Sequence, residues 1–280
     1  MTWKQLANSM IYLFLSVLCS VLIANFLMVV GRKGTMSMLP IFLGNYFVAS
    51  LSSAFGMSIA PGGFSGFDII FGILIGAVFL LNFWVYQKCI LANGLSLSVG
   101  AMRIAMIVPI LIALIFFGES LGLLNLIGII LGILAFSLKA DPKALHNMLW
   151  IIALFAISGL NDASMKIFKE LGSGNEALFV YLIFSSAFVY TLASILISKL
   201  KFQPRYILYG FALGIPNRYS TVFFLKALDS IPAAIAYPLL AVAIVVMSII
   251  SDIFIWKKQA SGKDYLLWAL LVLSLILLNI

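Results

Sequence analysis

Ten apolar runs, most of them about 18 to 25 residues long and joined by short loops, leave this chain few ways to fold. A run of that length crosses a hydrocarbon layer of about 30 Å as an α-helix. In lipid every backbone N–H and C=O must be satisfied within the protein, so a spanning chain is helical or a closed barrel. The period-two alternation of barrel strands is absent, which leaves helices. The predicted spans are 8–30, 37–57, 67–90, 95–117 and 121–138, then 147–168, 177–197, 206–228, 231–255 and 265–280. Composition agrees: with 64% hydrophobic and 9% charged residues, a 280-residue chain could not cover itself with a water-soluble surface. The first run follows Lys4 but is too long for a signal peptide, and a second span comes directly after it.

The runs also repeat. Gly72 and Gly76 recur as Gly210 and Gly214, an offset of 138, and the same offset pairs Ser20 with Ser158, Gly34 with Gly172, Lys88 with Lys226, and Ile115-Phe116 with Ile253-Phe254. Matches among aliphatic residues are cheap in so apolar a chain, whereas paired glycines and lysines at helix ends are not. The pattern predicts a duplicated unit, residues 1–140 and 141–280, of five helices each. Five is odd, so the second copy enters from the opposite side of the bilayer and the repeats are inverted, the plan of an alternating-access carrier.

A net charge of +8 can signal nucleic acid, but the cations are scattered in ones and twos over short loops, and no nucleic-acid partner is expected. Their distribution reports orientation. Loops after odd-numbered spans carry Arg32, Lys33, Lys88, Lys139, Lys143, Lys199, Lys201, Arg205, Lys257, Lys258 and Lys263, against Lys4, Lys169 and Lys226 on the other side. This bias places both termini outside the cytoplasm. Trp3, Trp150, Trp256 and Trp268 stand near span ends as interfacial anchors. Cys19 and Cys89 have no paired spacing and read as small packing residues.

Lys88 at the end of the third span leads through Leu95-Ser96-Leu97-Ser98 to Val108-Pro109-Ile110 and Phe117-Gly118-Glu119-Ser120-Leu121, followed by Gly128 and Gly132. In the second half Leu225-Lys226-Ala227-Leu228 leads to Ile231-Pro232-Ala233-Ala234 and Ala236-Tyr237-Pro238-Leu239. On these residues the chain resembles the drug/metabolite transporter superfamily, of the EamA-like kind, along its whole length. The resemblance implies ten helices in two five-helix repeats and a carrier whose cargo is open, since such proteins move amino acids, nucleotide sugars, organic phosphates, vitamins or drugs. It also implies cytoplasmic termini, against the charge bias. Lys257 departs from the family's usual Gly-Glu pair.

Charged groups at membrane depth are expensive, about 2.5 to 3.5 kcal/mol for a central Arg, Lys or Asp, and so mark function. Arg103, Lys166 and Arg218 stand within spans together with the one clear anion Asp162; three cations against one anion leave +2. That excess predicts a cargo bearing a carboxylate or phosphate, gripped by guanidinium forks. Asp162 and Lys166 are four apart and can neutralise each other along one helix face. Asn25, Asn45, Asn82, Asn161 and Asn217 are amides within spans, where hydrogen bonding between helices is the structural alternative to a cargo contact. Tyr86 lies one turn from Asn82, and Tyr237 precedes Pro238. The substrate-binding candidates are therefore Arg103, Arg218, Asn217, Asn82, Tyr86, Tyr237, Asp162, Lys166, Asn25 and Asn45. Arg103, Arg218, Asp162 and Asn82 map at the 138 offset onto Ala241, Leu80, Ala24 and Ser220, so the polar residues break the symmetry that the glycines keep.

These features predict a multi-pass secondary carrier in the plasma (inner) membrane, moving a small anionic or zwitterionic metabolite. There is no G-x-x-x-x-G-K-[ST] loop, so its energy is expected from a gradient or from exchange with a counter-substrate, Asp162 being the residue a coupling proton would use. A multidrug exporter of lipophilic cations and a non-transporting scaffold are the alternatives. No catalytic or metal site and no cofactor is expected: one His beside a loop and two separated Cys build neither.

Overall fold

The computed structural model describes residues 3–31, 38–55, 65–93, 95–137, 148–201, 203–257 and 262–278. Among them are eleven α-helices and no strand: α1 (Trp3–Gly31), α2 (Leu39–Phe55), α3 (Gly66–Asn93), α4 (Leu95–Ile104), α5 (Ile107–Phe116), α6 (Leu123–Ser137), α7 (Met148–Leu171), α8 (Glu176–Ser198), α9 (Arg205–Ala227), α10 (Ala233–Phe254) and α11 (Gly262–Leu278). Five segments, Gln5–Phe26, Gly66–Cys89, Met148–Leu171, Glu176–Ser198 and Ala233–Ser251, are long and apolar enough to cross a membrane. The protein is an all-helical membrane protein. Helices α2, α6 and α11 are apolar but shorter. Helix α9 has the length, with 23 residues, but Pro216-Asn217-Arg218-Tyr219-Ser220-Thr221 makes it too polar to rank with the five.

One expectation is corrected. The predicted continuous span 95–117 is two helices, α4 and α5, parted by a turn at Ala105 and Met106. Pro109 is the reason: it has no N–H for the carbonyl of Ala105, and its ring crowds that carbonyl. Ala105 O accepts from Val108 N–H instead, at 3.0 Å, a tighter three-residue closure. Gly159 of α7 packs beside this turn, where a Cβ would stand 2.5 Å from Val108 Cβ and 3.1 Å from Ala105 O. The 138 offset survives the break. Helix α4 begins at Leu95 and α10 at Ala233, while α5 ends at Phe116 and α10 at Phe254.

The chain forms two compact units, each drawing on both sequence halves. The first comprises residues 1–10, 81–166 and 227–280. In it α6 packs along α11, and α10 packs on α5 and α11. Ser274 Oγ donates to Gly128 O at 2.7 Å, and Asn125 Nδ2 to Leu277 O at 3.3 Å. Cys89, fully buried with Val85, Ala101 and Leu154, is a packing residue.

The second unit comprises residues 11–80 and 167–226, with α2 laid along α8. The duplicated glycines act here as contact points. A Cβ on Gly72 would meet Leu182 Cβ at 2.7 Å, and one on Gly76 would collide with Ser186 and the backbone of α8. Their partners repeat the arrangement: Gly210 lies against Ile41, Gly44 and Asn45 of α2, and a Cβ on Gly214 would meet Val48 Cβ at 2.6 Å. Leu182 and Ser186 stand 138 residues after Gly44 and Val48. The contact of α3 with α8 is thus reproduced between α9 and α2, residue for residue, as an isologous exchange requires. Small residues bring the helix backbones together where lipid supplies no hydrophobic drive.

Candidate functional site

The polar residues of the spans collect into two clusters, one in each unit. That of the second unit is built on the segment that makes α9 polar. Asn217 Nδ2 donates to Asn45 Oδ1 at 3.2 Å, and Arg218 Nε to Ser53 Oγ at 3.1 Å. The guanidinium lies 4.7 Å from the ring centre of Tyr219. Ser53 Oγ in turn donates to Ala49 O at 2.7 Å, so the hydroxyl is held as an acceptor for the arginine. Among the described residues no acid meets Arg218. Asn25 belongs to the same unit, but its amide donates to Val21 O of its own helix at 2.9 Å.

The scaffold under Arg218 exists twice. Thr191 follows Ser53 at the 138 offset and donates to Ala187 O at 2.7 Å, as Ser53 does to Ala49 O. The residue equivalent to Arg218 is Leu80. The arginine is therefore an addition to a site that holds an aliphatic residue in the other copy.

In the first unit the candidate cations stand near acids. Lys166 Nζ lies 2.7 Å from Glu119 Oε1, and both side chains are nearly buried. The Glu119 carboxylate also accepts from Ala233 N–H at 3.0 Å and Ala234 N–H at 2.7 Å, the first amides of α10. Pro232, the residue before this helix, has no side-chain acceptor to offer them, and an acid from another element fills that role and complements the helix dipole. Arg103 of α4 lies near enough to Asp162 of α7 and Tyr86 of α3 for its charge to act on both, without a direct ion pair. The Tyr237 hydroxyl donates to Asp162 O at 2.5 Å and so fastens α10 to the backbone of α7. Asn161 Oδ1 is buried with no hydrogen-bond partner among the described residues.

Two sequence expectations change. Lys166 pairs with Glu119, and Asp162 lies within the field of Arg103, so each charge has an opposite from another element and not only its neighbour on α7. The buried excess of +2 also fails in this unit, because Glu119, expected in a loop, brings a second carboxylate: Arg103 and Lys166 balance Asp162 and Glu119. In the second unit Arg218 meets no acid among the described residues, while the fully buried Asp68 accepts from Ser173 N–H and Oγ. Glu119 was the residue missed. Its signal was the unusual helix start Ile231-Pro232-Ala233-Ala234, which lacks the Ser, Thr, Asp or Asn that normally caps such amides.

Asn82 is the third change. Ser158 Oγ donates to Asn82 Oδ1 at 2.7 Å in the first unit, and in the second Ser20 and Ser220 hydroxyls meet at 2.9 Å. Ser20 and Ser158 are repeat partners, as are Asn82 and Ser220. The same interhelical bond is made twice with different residues, so the asymmetry of Asn82 is compatible with helix packing alone.

The charge interaction of Arg103 with Asp162 can be measured. Arg103→Met is expected to lower stability by about 1 to 2 kcal/mol, since it leaves a half-buried carboxylate without the cation nearest it, and Arg103→Met with Asp162→Leu to recover most of that loss. Thermal unfolding in detergent of both single variants and the pair provides the cycle; purely additive losses would show that the two charges do not interact.

No family model matches the chain. An uncharacterised protein of Haemophilus influenzae is 22% identical over 274 residues, which cover 91% of this chain and 92% of that protein. A protein of known crystal structure superposes with a TM-score of 0.78 at 13% identity, over 98% of this chain and 97% of the other. The second likeness is one of fold: the arrangement of these helices is found in a protein of nearly unrelated sequence.

Proposed function

We propose that this protein is a secondary carrier of a small acid-bearing metabolite, of the drug/metabolite transporter kind, crossing the plasma membrane ten times as two inverted five-helix repeats. The observation that carries this reading is Arg218. It is a guanidinium within an otherwise spanning helix, held by Ser53 and Tyr219 with no acidic partner among the described residues, where the repeated position holds Leu80. A half-buried guanidinium within the helix and without an internal counter-charge is costly at membrane depth, and a carboxylate or phosphate that reaches it relieves that cost. Asn217 and Asn45 stand beside it with amide groups for the rest of the cargo. Arg103 and Lys166 have internal acids and so contribute less to anion recognition than their charge alone suggests. Exchange of one acid for another, or a gradient with Asp162 as proton carrier, supplies the energy.

Thermal stabilisation of the purified protein tests the reading. Carboxylates, phosphate esters, amines and neutral solutes are compared at equal concentration, a ligand at about 100 times its Kd adding about 2.7 kcal/mol. Stabilisation confined to acid-bearing solutes is expected, and stabilisation by lipophilic amines alone would replace this reading with drug export.

A further inference from the structure

The first turn of α10 is bounded by two prolines. Pro232 precedes it, and Pro238 stands just beyond it inside the continuous helix, leaving the carbonyl of Ala234 without its intrahelical donor. Residues 233–237 are thus a short segment with a weak joint at each end. Two connections attach it to α7: the Glu119 carboxylate, which takes both Ala233 and Ala234 N–H while pairing with Lys166, and the Tyr237 hydroxyl on Asp162 O. Glu119 is presented by a stretch without regular structure that begins at Gly118, whose φ of 66° is a conformation glycine adopts without strain. A polar pocket of about 400 Å³ opens at this point, lined by Glu119, Lys166, Asp229, Ser230, Ile231 and Pro232.

We propose that residues 233–237 form a hinged cap, latched to α7 through Glu119, which closes this mouth of the first unit. Glu119 is suited to a latch because its bonds are made to groups that do not depend on it for their place in the chain: two backbone amides and one lysine. Its release leaves the amides to water and the lysine beside the Phe117 ring, 5.4 Å from its centre. The latch belongs to one half only. The repeat partner of Glu119 is Lys257, exposed and cationic, and a cation is repelled by the positive start of a helix. The device is therefore one-sided, and its closed state is favoured at a single end of the repeat.

That this closure gates transport rests on the carrier reading; the closure itself is tested without any cargo. Ile231 lines the pocket yet is only 4% exposed, so a cysteine there reports opening. The experiment uses full-length protein in detergent, carrying Ile231→Cys, Cys19→Ser and Cys89→Ala, and follows its rate of reaction with a polar maleimide. With Glu119 present the thiol is expected to react slowly. Adding Glu119→Gln is expected to raise the rate about tenfold or more, the factor that follows from losing a charge-assisted hydrogen bond. Lys166→Met is expected to raise it less, because the carboxylate keeps both amides. Native Cys89, fully buried in the same unit, is the control, measured in Cys19→Ser protein without the new cysteine. An unchanged rate at position 231 in Glu119→Gln would overturn the proposal. So would equal exposure of Cys89, which would make Glu119 a support of the whole unit. A mouth that opens as expected in a protein that moves no solute removes the carrier reading and leaves the latch standing.

Discussion

Arg218→Leu protein is expected to fold normally and to lose its stabilisation by acid-bearing solutes. The leucine copies what the chain already holds at the repeated position, Leu80, and the back-bonded Ser53 hydroxyl has its repeat in Thr191. Ser53 keeps its bond to Ala49 O when the arginine goes, so no acceptor is stranded. The melting temperature without ligand should therefore change little, while the loss of a charged hydrogen-bonding partner, worth about 1.5 to 3 kcal/mol, weakens binding about ten- to a hundredfold. Arg218→Lys separates charge from shape: a lysine restores the positive charge but not the planar fork, and only partial recovery is expected. Thermal shift against a titrated acid measures all three proteins. If Arg218→Leu keeps the full response, the acid group binds elsewhere, and the pair Arg103 and Asp162 becomes the next place to look.

Gly210→Ala is expected to produce the largest loss of stability among the glycine variants, about 3 kcal/mol, the upper end of what overpacking costs. The added carbon would enter the backbone of α2, at 2.7 Å from Asn45 N and 2.9 Å from Gly44 Cα. Backbone in a packed helix cannot turn aside as a side chain can. Gly72→Ala meets only the Leu182 side chain and should cost about 1 kcal/mol, the lower end of the same range. Gly66→Ala, at a glycine with nothing within 4 Å of the new carbon, should be neutral or slightly stabilising. Melting curves in one detergent rank the three. Equal losses at positions 210 and 66 would mean that α2 and α9 do not approach as closely as described.

These two variants mark the limits of what could be read in the chain beforehand. The glycines at 72, 76, 210 and 214 are visible in the sequence because a gapless repeat of rare residues stands out from an aliphatic background. That their contacts also repeat, α3 on α8 as α9 on α2, is a property of packing. Ser20 and Ser158 were legible as a pair for the same reason, whereas their partners Ser220 and Asn82 were not, since two different residues can make one kind of hydrogen bond. The charges were least legible. Lys166 and Asp162 are one turn apart on a single helix, and local spacing pairs them. Their acid and base arrive from elsewhere, Glu119 from an irregular stretch 47 residues earlier and Arg103 from a helix cut short by Pro109.

What the sequence determined alone is the kind of molecule: a helical membrane protein with its elements duplicated at 138 residues. Hydrocarbon forces every backbone group into local helical bonds, and that demand is written in the length and apolarity of each run. Tertiary structure decided that Lys166 is paired with an acid and that Arg218 meets none among the described residues. Electrostatic energy depends on distances between side chains of different helices, and those distances exist only once the helices have packed.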